Sequence, residues 1–173
     1  MSVAALVFLG IAAIVPPALS WKKLPQWLAP AVAITALAAA AVFAAAGQPV
    51  KGFGVAATAV LAVGAAATGG ISIPPLAFRI ARRQGTAGST SGPVGSGPLR
   101  GGLIIGILER AAVAAAILTA KGPEGIAIVM AVKGLARYPE LREPTASEQF
   151  IIGTFASVLW ACAAAGIGRG MFS

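Results

Sequence analysis

Residues 28–47 read LAPAVAITALAAAAVFAAAG. The run has no charged side chain and a single hydroxyl, on Thr35. An α-helix needs about 20 apolar residues, at 1.5 Å each, to cross a hydrocarbon core of roughly 30 Å. The stretch meets that length and predicts a transmembrane helix.

The same pattern recurs on both sides. Val3 to Ser20 is a first span, kinked or ended by Pro16 and Pro17, with Trp21-Lys22-Lys23 as an interfacial anchor. Its cations follow the apolar run, the wrong order for a cleaved signal peptide. Gly54 to Ile73 is a third span, closed by Pro74-Pro75. The segment Leu76 to Arg83 alternates apolar residues with Arg79, Arg82 and Arg83 and reads as a helix along the membrane surface. Gln84 to Pro98 is rich in Gly, Ser, Thr and Pro and reads as a flexible linker. Beyond it, Gly101 to Ala120, Pro123 to Tyr138 and Ala146 to Arg169 give three more spans, the middle one short enough to be re-entrant. Thr145 as N-cap with Glu148 three residues on predicts a capping box.

The expected fold is therefore an all-α, polytopic membrane helix bundle of about six spans. Residues 1–83 form one three-helix half, 84–100 the linker, and 101–173 the second half. Three helices per half would permit inverted repeats, although the halves share no visible similarity.

Composition agrees. The chain is 58% hydrophobic and 10% charged, with a mean hydropathy of +0.88. Soluble domains are about a quarter charged, and so few charges would not cover a water-exposed surface. Thirteen basic and five acidic residues give a net charge of +8, and every acid is Glu. The cations flank apolar runs, which points to membrane anchoring and away from nucleic acid. With the N-terminus outside, Lys22, Lys23, Arg79, Arg82, Arg83, Arg100, Arg137 and Arg142 fall inside, and Lys51, Lys121 and Arg169 outside. This bias predicts both termini outside.

The absence of histidine and the single Cys162 exclude an internal disulfide, a Cys/His zinc site, haem held by His and the His-dependent nucleophile systems. No cofactor or metal is indicated. The Gly102/Gly106 and Gly166/Gly170 pairs match GxxxG and are read either as close-contact motifs or as a product of composition.

Candidate site residues concentrate in the second half. Glu109 and Arg110 sit near the middle of the fourth span. A charge at such depth costs at least about 2.5–3.5 kcal/mol on insertion scales. Neighbours on a helix point about 100° apart, so each needs a partner elsewhere. Lys133, in the fifth span, is the expected partner of Glu109. Lys133 and Arg137 share a helix face at i,i+4 and repel unless an anion lies between them. Two readings stand for these cations: snorkelling to headgroups, or a specific cluster with Glu109. Glu148, Thr154 and Ser157 on the sixth span could extend the cluster, or act as a cap and as hydroxyls bonded to their own helix.

The ordered motifs IGILER (105–110), MAVKGLARY (130–138) and EQFIIGTFAS (148–157) resemble the C-terminal region of a bacterial membrane family catalogued as domain of unknown function 3307. The resemblance spans about residues 101–160 and implies a bacterial inner-membrane protein. It groups Glu109, Arg110, Lys133, Arg137, Glu148, Thr154 and Ser157 as one unit. The family's first helix carries His, Asp and Gln, whereas this chain has no His or Asp.

Three functions follow as expectations. The first is a membrane-embedded binder or carrier of an anionic or amphipathic, lipid-phosphate-like ligand. The second is a structural or regulatory subunit that docks on a copy of itself or on a larger membrane complex through its Gly/Ala-rich faces. An enzyme acting on a lipid-linked phosphate ranks last, because the chain lacks the clustered carboxylates that hold Mg²⁺.

Overall fold

The computed structural model describes residues 2–20, 25–84 and 101–172. These contain helices and no strand. The helices are α1 (Ser2–Ser20), α2 (Leu28–Ala45), α3 (Phe53–Ala67), α4 (Ile73–Gln84), α5 (Gly102–Leu118), α6 (Gly122–Ala136) and α7 (Pro144–Gly170). Short 3-10 turns at Gly69–Ser72 and Glu140–Arg142 join α3 to α4 and precede α7. The Trp21-Lys22-Lys23 anchor and the linker from residue 85 to 100 lie outside the described residues.

Four helical runs are long and apolar enough to cross a membrane: Ser2–Ser20, Leu28–Ala45, Phe53–Arg82 and Ala146–Gly170. The third joins α3, the 3-10 turn and α4. Helices α5 and α6, with 17 and 15 residues, are shorter. At 1.5 Å per residue they reach roughly 25 and 22 Å.

Small residues face inward. Ala5, Ala12, Ala33, Ala40, Ala65, Ala66, Ala114, Ala161, Ala164 and Ala165 are buried, while Val3, Val7, Ile14, Val60, Leu108, Val132 and Leu159 are exposed. Water as solvent would favour the opposite arrangement. Small side chains instead let helix backbones approach, which is how helices pack where apolar burial gives no drive. Trp160 of α7 is a large residue that is buried all the same, and Phe8 of α1, partly buried, stacks on Phe43 of α2 with ring centroids 5.4 Å apart.

The GxxxG pairs do not make these contacts. A Cβ at Gly102, Gly166 or Gly170 would meet open space, and one at Gly106 would meet the Arg110 side chain of its own helix. The close approaches lie elsewhere. Gly69 faces the Ala12 backbone of α1, and Gly168 of α7 faces Ala62 of α3.

Helix ends meet in two groups. At one end, Ser2 donates to the Gln48 carbonyl, the Val50 amide donates to Met171, and Arg169 donates to the Leu118 carbonyl at 2.8 Å. The start of α1, the α2–α3 turn, the α5–α6 turn and the end of α7 therefore share one level. At the other end, Arg79 of α4 donates to Gln26, before α2.

Two expectations are corrected. The α7 N-cap is Glu143, which makes no side-chain capping bond, and the helix begins at Pro144. Proline's fixed φ suits the first helical position, so Thr145 falls inside the helix and not at its N-cap. The third span also does not continue as one α-helix to Ile73. It stops at Ala67, and α4 follows it through the 3-10 turn to line a groove.

Candidate functional site

The site is built around the break in the third helical run. Thr68-Gly69-Gly70 followed by Pro74-Pro75 removes helix support: the glycines cost backbone entropy, and the prolines lack N–H donors. The α3 helix therefore ends half-way along α1, at Ala12 and Ala13, where Thr68 donates to the Ala13 carbonyl. Ala12 is ten residues from Ser2, roughly 15 Å along the axis.

A helix end leaves carbonyls without intrahelical partners and carries partial negative charge. Two side chains from the second half supply donors. Arg110 Nε of α5 donates to Ala67 O at 2.9 Å, and Trp160 Nε1 of α7 donates to Ala65 O at 3.0 Å. Arg110 Nη1 also donates to Ser157 Oγ of α7 at 3.3 Å. Arg110 is only 5% exposed. Its burial is sustained because its donors and charge both meet the α3 terminus. Gly70 makes the approach possible: a Cβ there would stand 2.6 Å from Trp160 Cδ1 and 2.7 Å from Arg110 Cδ.

Glu109, one residue earlier, turns to α6 and forms an ion pair with Lys133. Both side chains are about one-fifth exposed. The pair and Arg110 line a groove of about 400 Å³, into which Arg137 also faces. Its apolar walls are Ile71, Pro74, Pro75 and Phe78 on one side, and Leu103 and Ile105 on the other. Gly106 and Gly153 contribute no side chain to its walls, and Phe78 reaches Gly153 closely. The groove thus has a charged floor with three cations and one carboxylate, beneath apolar sides. A pocket of this size is at the small end of the ligand-site range.

The structure brings Glu109, Arg110, Lys133, Arg137 and Ser157 together. Thr154 is buried on α7 outside the groove lining, and Glu148 is exposed one turn and a half before it. Tyr138 stacks with Arg142, whose guanidinium lies 5.7 Å from the ring centroid, away from the groove. Among the described residues no three His, Cys, Asp or Glu side chains come close enough to hold a metal ion.

Sequence reasoning missed Trp160, Gly70 and the whole α4 wall. A signal was available: paired glycines four residues before paired prolines mark a helix break. No protein-family model, no curated protein and no solved structure matches the chain.

Proposed function

We propose that this chain is a polytopic membrane protein that binds, and as a carrier moves, an anionic amphiphile. Its headgroup sits at Lys133 and Arg137, and its apolar part lies along Ile71, Pro74, Pro75 and Phe78. The carrying observation is the groove itself, where cations are set under apolar walls at the break of a helix. Lys and Arg donate well to phosphate oxygens, and charge-assisted bonds of this kind are the strong ones. Discontinuous helices near mid-depth are a recurrent way to build solute sites in carriers.

Six crossings, with both termini outside, are the topology that goes with this reading. The grouping of helix ends supports it, because the α5–α6 turn is fastened to Arg169 at the end of α7. The short hairpin would cross by thinning the bilayer locally. Residues 101–160, which resemble the domain of unknown function 3307 family, contain every charged group of the groove.

The test is binding of phosphatidic acid to the detergent-solubilised protein, read by native mass spectrometry. Changing Lys133 or Arg137 to Ala removes a charge-assisted contact worth about 1.5–3 kcal/mol, so affinity should fall roughly 10- to 100-fold. The variants must keep the helical circular dichroism of the parent. Unchanged affinity in such folded variants contradicts the reading.

A second reading has its own observation. Gly102, Gly166 and Gly170 open outward and α6 has no buried residue, so these faces suit docking to a second membrane protein or a copy of this chain. A stable complex in mild detergent, lost on Gly166→Leu, would favour it.

A further inference from the structure

Helix α6 is fastened to the molecule differently at its two ends. None of its fifteen residues is fully buried, its main packing partner is α5, and Ile126 and Val129 are partly buried against the core. Near the α5–α6 turn the two helices are tight: a Cβ at Gly125 would overlap the Ala116 methyl group. Ala120, in that turn, has a φ of 63°, a left-handed conformation that few non-glycine residues adopt. Eight residues on, roughly 12 Å away, Lys133 ties α6 to Glu109. The outer side of α6 is apolar and open, with Ile128, Val132 and Leu135 exposed, and the neighbouring lip of α5 exposes Leu103, Ile104 and Leu108.

We propose that the Glu109–Lys133 pair is a latch on a lateral gate. In this account α6 pivots at the Gly125–Ala116 contact, and the ligand is an amphiphile already dissolved in the bilayer. Its anionic headgroup takes the place of the Glu109 carboxylate on Lys133. The proposal rests on reading the groove as a binding site and adds where the ligand comes from and what moves.

Three observations carry it. Swinging α6 uncovers no fully buried side chain of its own; of its residues packed on the core, Ile126 lies beside the pivot and Val129 is only partly buried. The ligand acts on a partly exposed ion pair: an incoming anion replaces one of its two partners, so Lys133 keeps a counter-charge throughout. The groove walls Leu103 and Ile105 run out onto the apolar lip beside α6, so the route into the groove is lined for hydrocarbon rather than for water. Arg110 does not take part in the motion, because its donors are engaged by Ala67 and Ser157 on α3 and α7.

The experiment is spin-label distance measurement on the full chain in lipid nanodiscs. Cysteines replace Leu135 on α6 and Leu159 on α7, both exposed, in a Cys162→Ser background. In phosphatidylcholine alone the pair should give one narrow distance distribution. Glu109→Gln should add a longer-distance population without any ligand. Phosphatidic acid in the nanodisc should add the same population to the parent, and inorganic phosphate should not.

If neither Glu109→Gln nor phosphatidic acid changes the distribution, there is no latch. If inorganic phosphate produces the shift as well as the lipid does, the ligand is water-borne and the lateral route is wrong. Native mass spectrometry on the same samples separates this proposal from the one beneath it. Phosphatidic acid retained without a shift defeats the gate and leaves the binding site standing. No phosphatidic acid retained at all defeats the binding site, and with it the ligand half of the gate.

Discussion

Arg110 and Lys133 are both cations in the second half of the chain, yet they do different work. Arg110 closes the end of α3, with its guanidinium spent on Ala67 and Ser157. Lys133 meets Glu109 at a groove that reaches the surface. Removing each should therefore have opposite signatures. Arg110→Ala leaves the Ala67 carbonyl unpaired and a cavity against Gly70 and Trp160, and should lower stability by about 3 kcal/mol. Lys133→Ala leaves Glu109 without its cation, but at a groove open to the surface, where the carboxylate can be solvated or protonated, so it should cost less than the loss of Arg110, about 1 kcal/mol, with ligand binding as the larger loss. Equilibrium unfolding of the detergent-solubilised variants checks both. Equal destabilisation by the two changes would mean that Arg110 does not hold α3. The need for a partner to each mid-helix charge was legible in the sequence, since a lone charge there is too costly. That Arg110 would bond a backbone carbonyl was not, because helix-end carbonyls become visible only once the break is placed.

At the scale of elements, the break between α3 and α4 organises the site. It frees carbonyls for Arg110 and Trp160 and turns Pro74, Pro75 and Phe78 toward the groove. Gly70→Ala would put a methyl group into Trp160 and Arg110, and such overpacking costs typically 1–3 kcal/mol. Gly102→Ala, whose Cβ meets open space, should change stability by less than about 0.5 kcal/mol. Thermal unfolding of the two variants side by side tests the assignment. If they destabilise equally, close packing at Gly70 is wrong. Apolar run length located α1, α2 and α7 in the sequence to within a few residues. It misplaced the end of α3, because Gly69, Gly70 and Ile71 are apolar enough to extend a hydrophobic run while being unable to sustain a helix beside Pro74. The GxxxG pairs misled for a related reason. In a chain with 22 glycines the motif occurs without regard to contact, and the glycines that matter are those whose missing Cβ another helix occupies.

For the whole molecule, alanine inside and larger apolar residues outside are the arrangement that the proposed membrane bundle requires. The grouping of helix ends then makes a topological prediction. Single cysteines replacing Lys51, Lys121 or Arg169 should react together with a membrane-impermeant thiol reagent from one side of the membrane. Cysteines replacing Arg79 or Arg142 should react from the other, in a Cys162→Ser background. Lys121 labelling with Arg79 would place the α5–α6 hairpin upside down and undo the six-crossing topology. The helical class and the siting of the charged cluster in the second half could be read from composition and charge placement alone. The groove could not, because its walls come from residues 71–78 and 102–157 and meet only in the folded chain.

The central claim is that an anionic headgroup rests on Lys133 inside the groove. Solid-state NMR tests it directly, by dipolar recoupling between lipid ³¹P and ¹⁵N-labelled lysine side chains in membranes containing phosphatidic acid. A lysine signal dephased by phosphorus in the parent and missing in Lys133→Gln, with the other lysines unchanged, is the expected result. Identical dephasing in the parent and in Lys133→Gln would show that no phosphate sits at Lys133, and the account of the groove as a ligand site would be wrong.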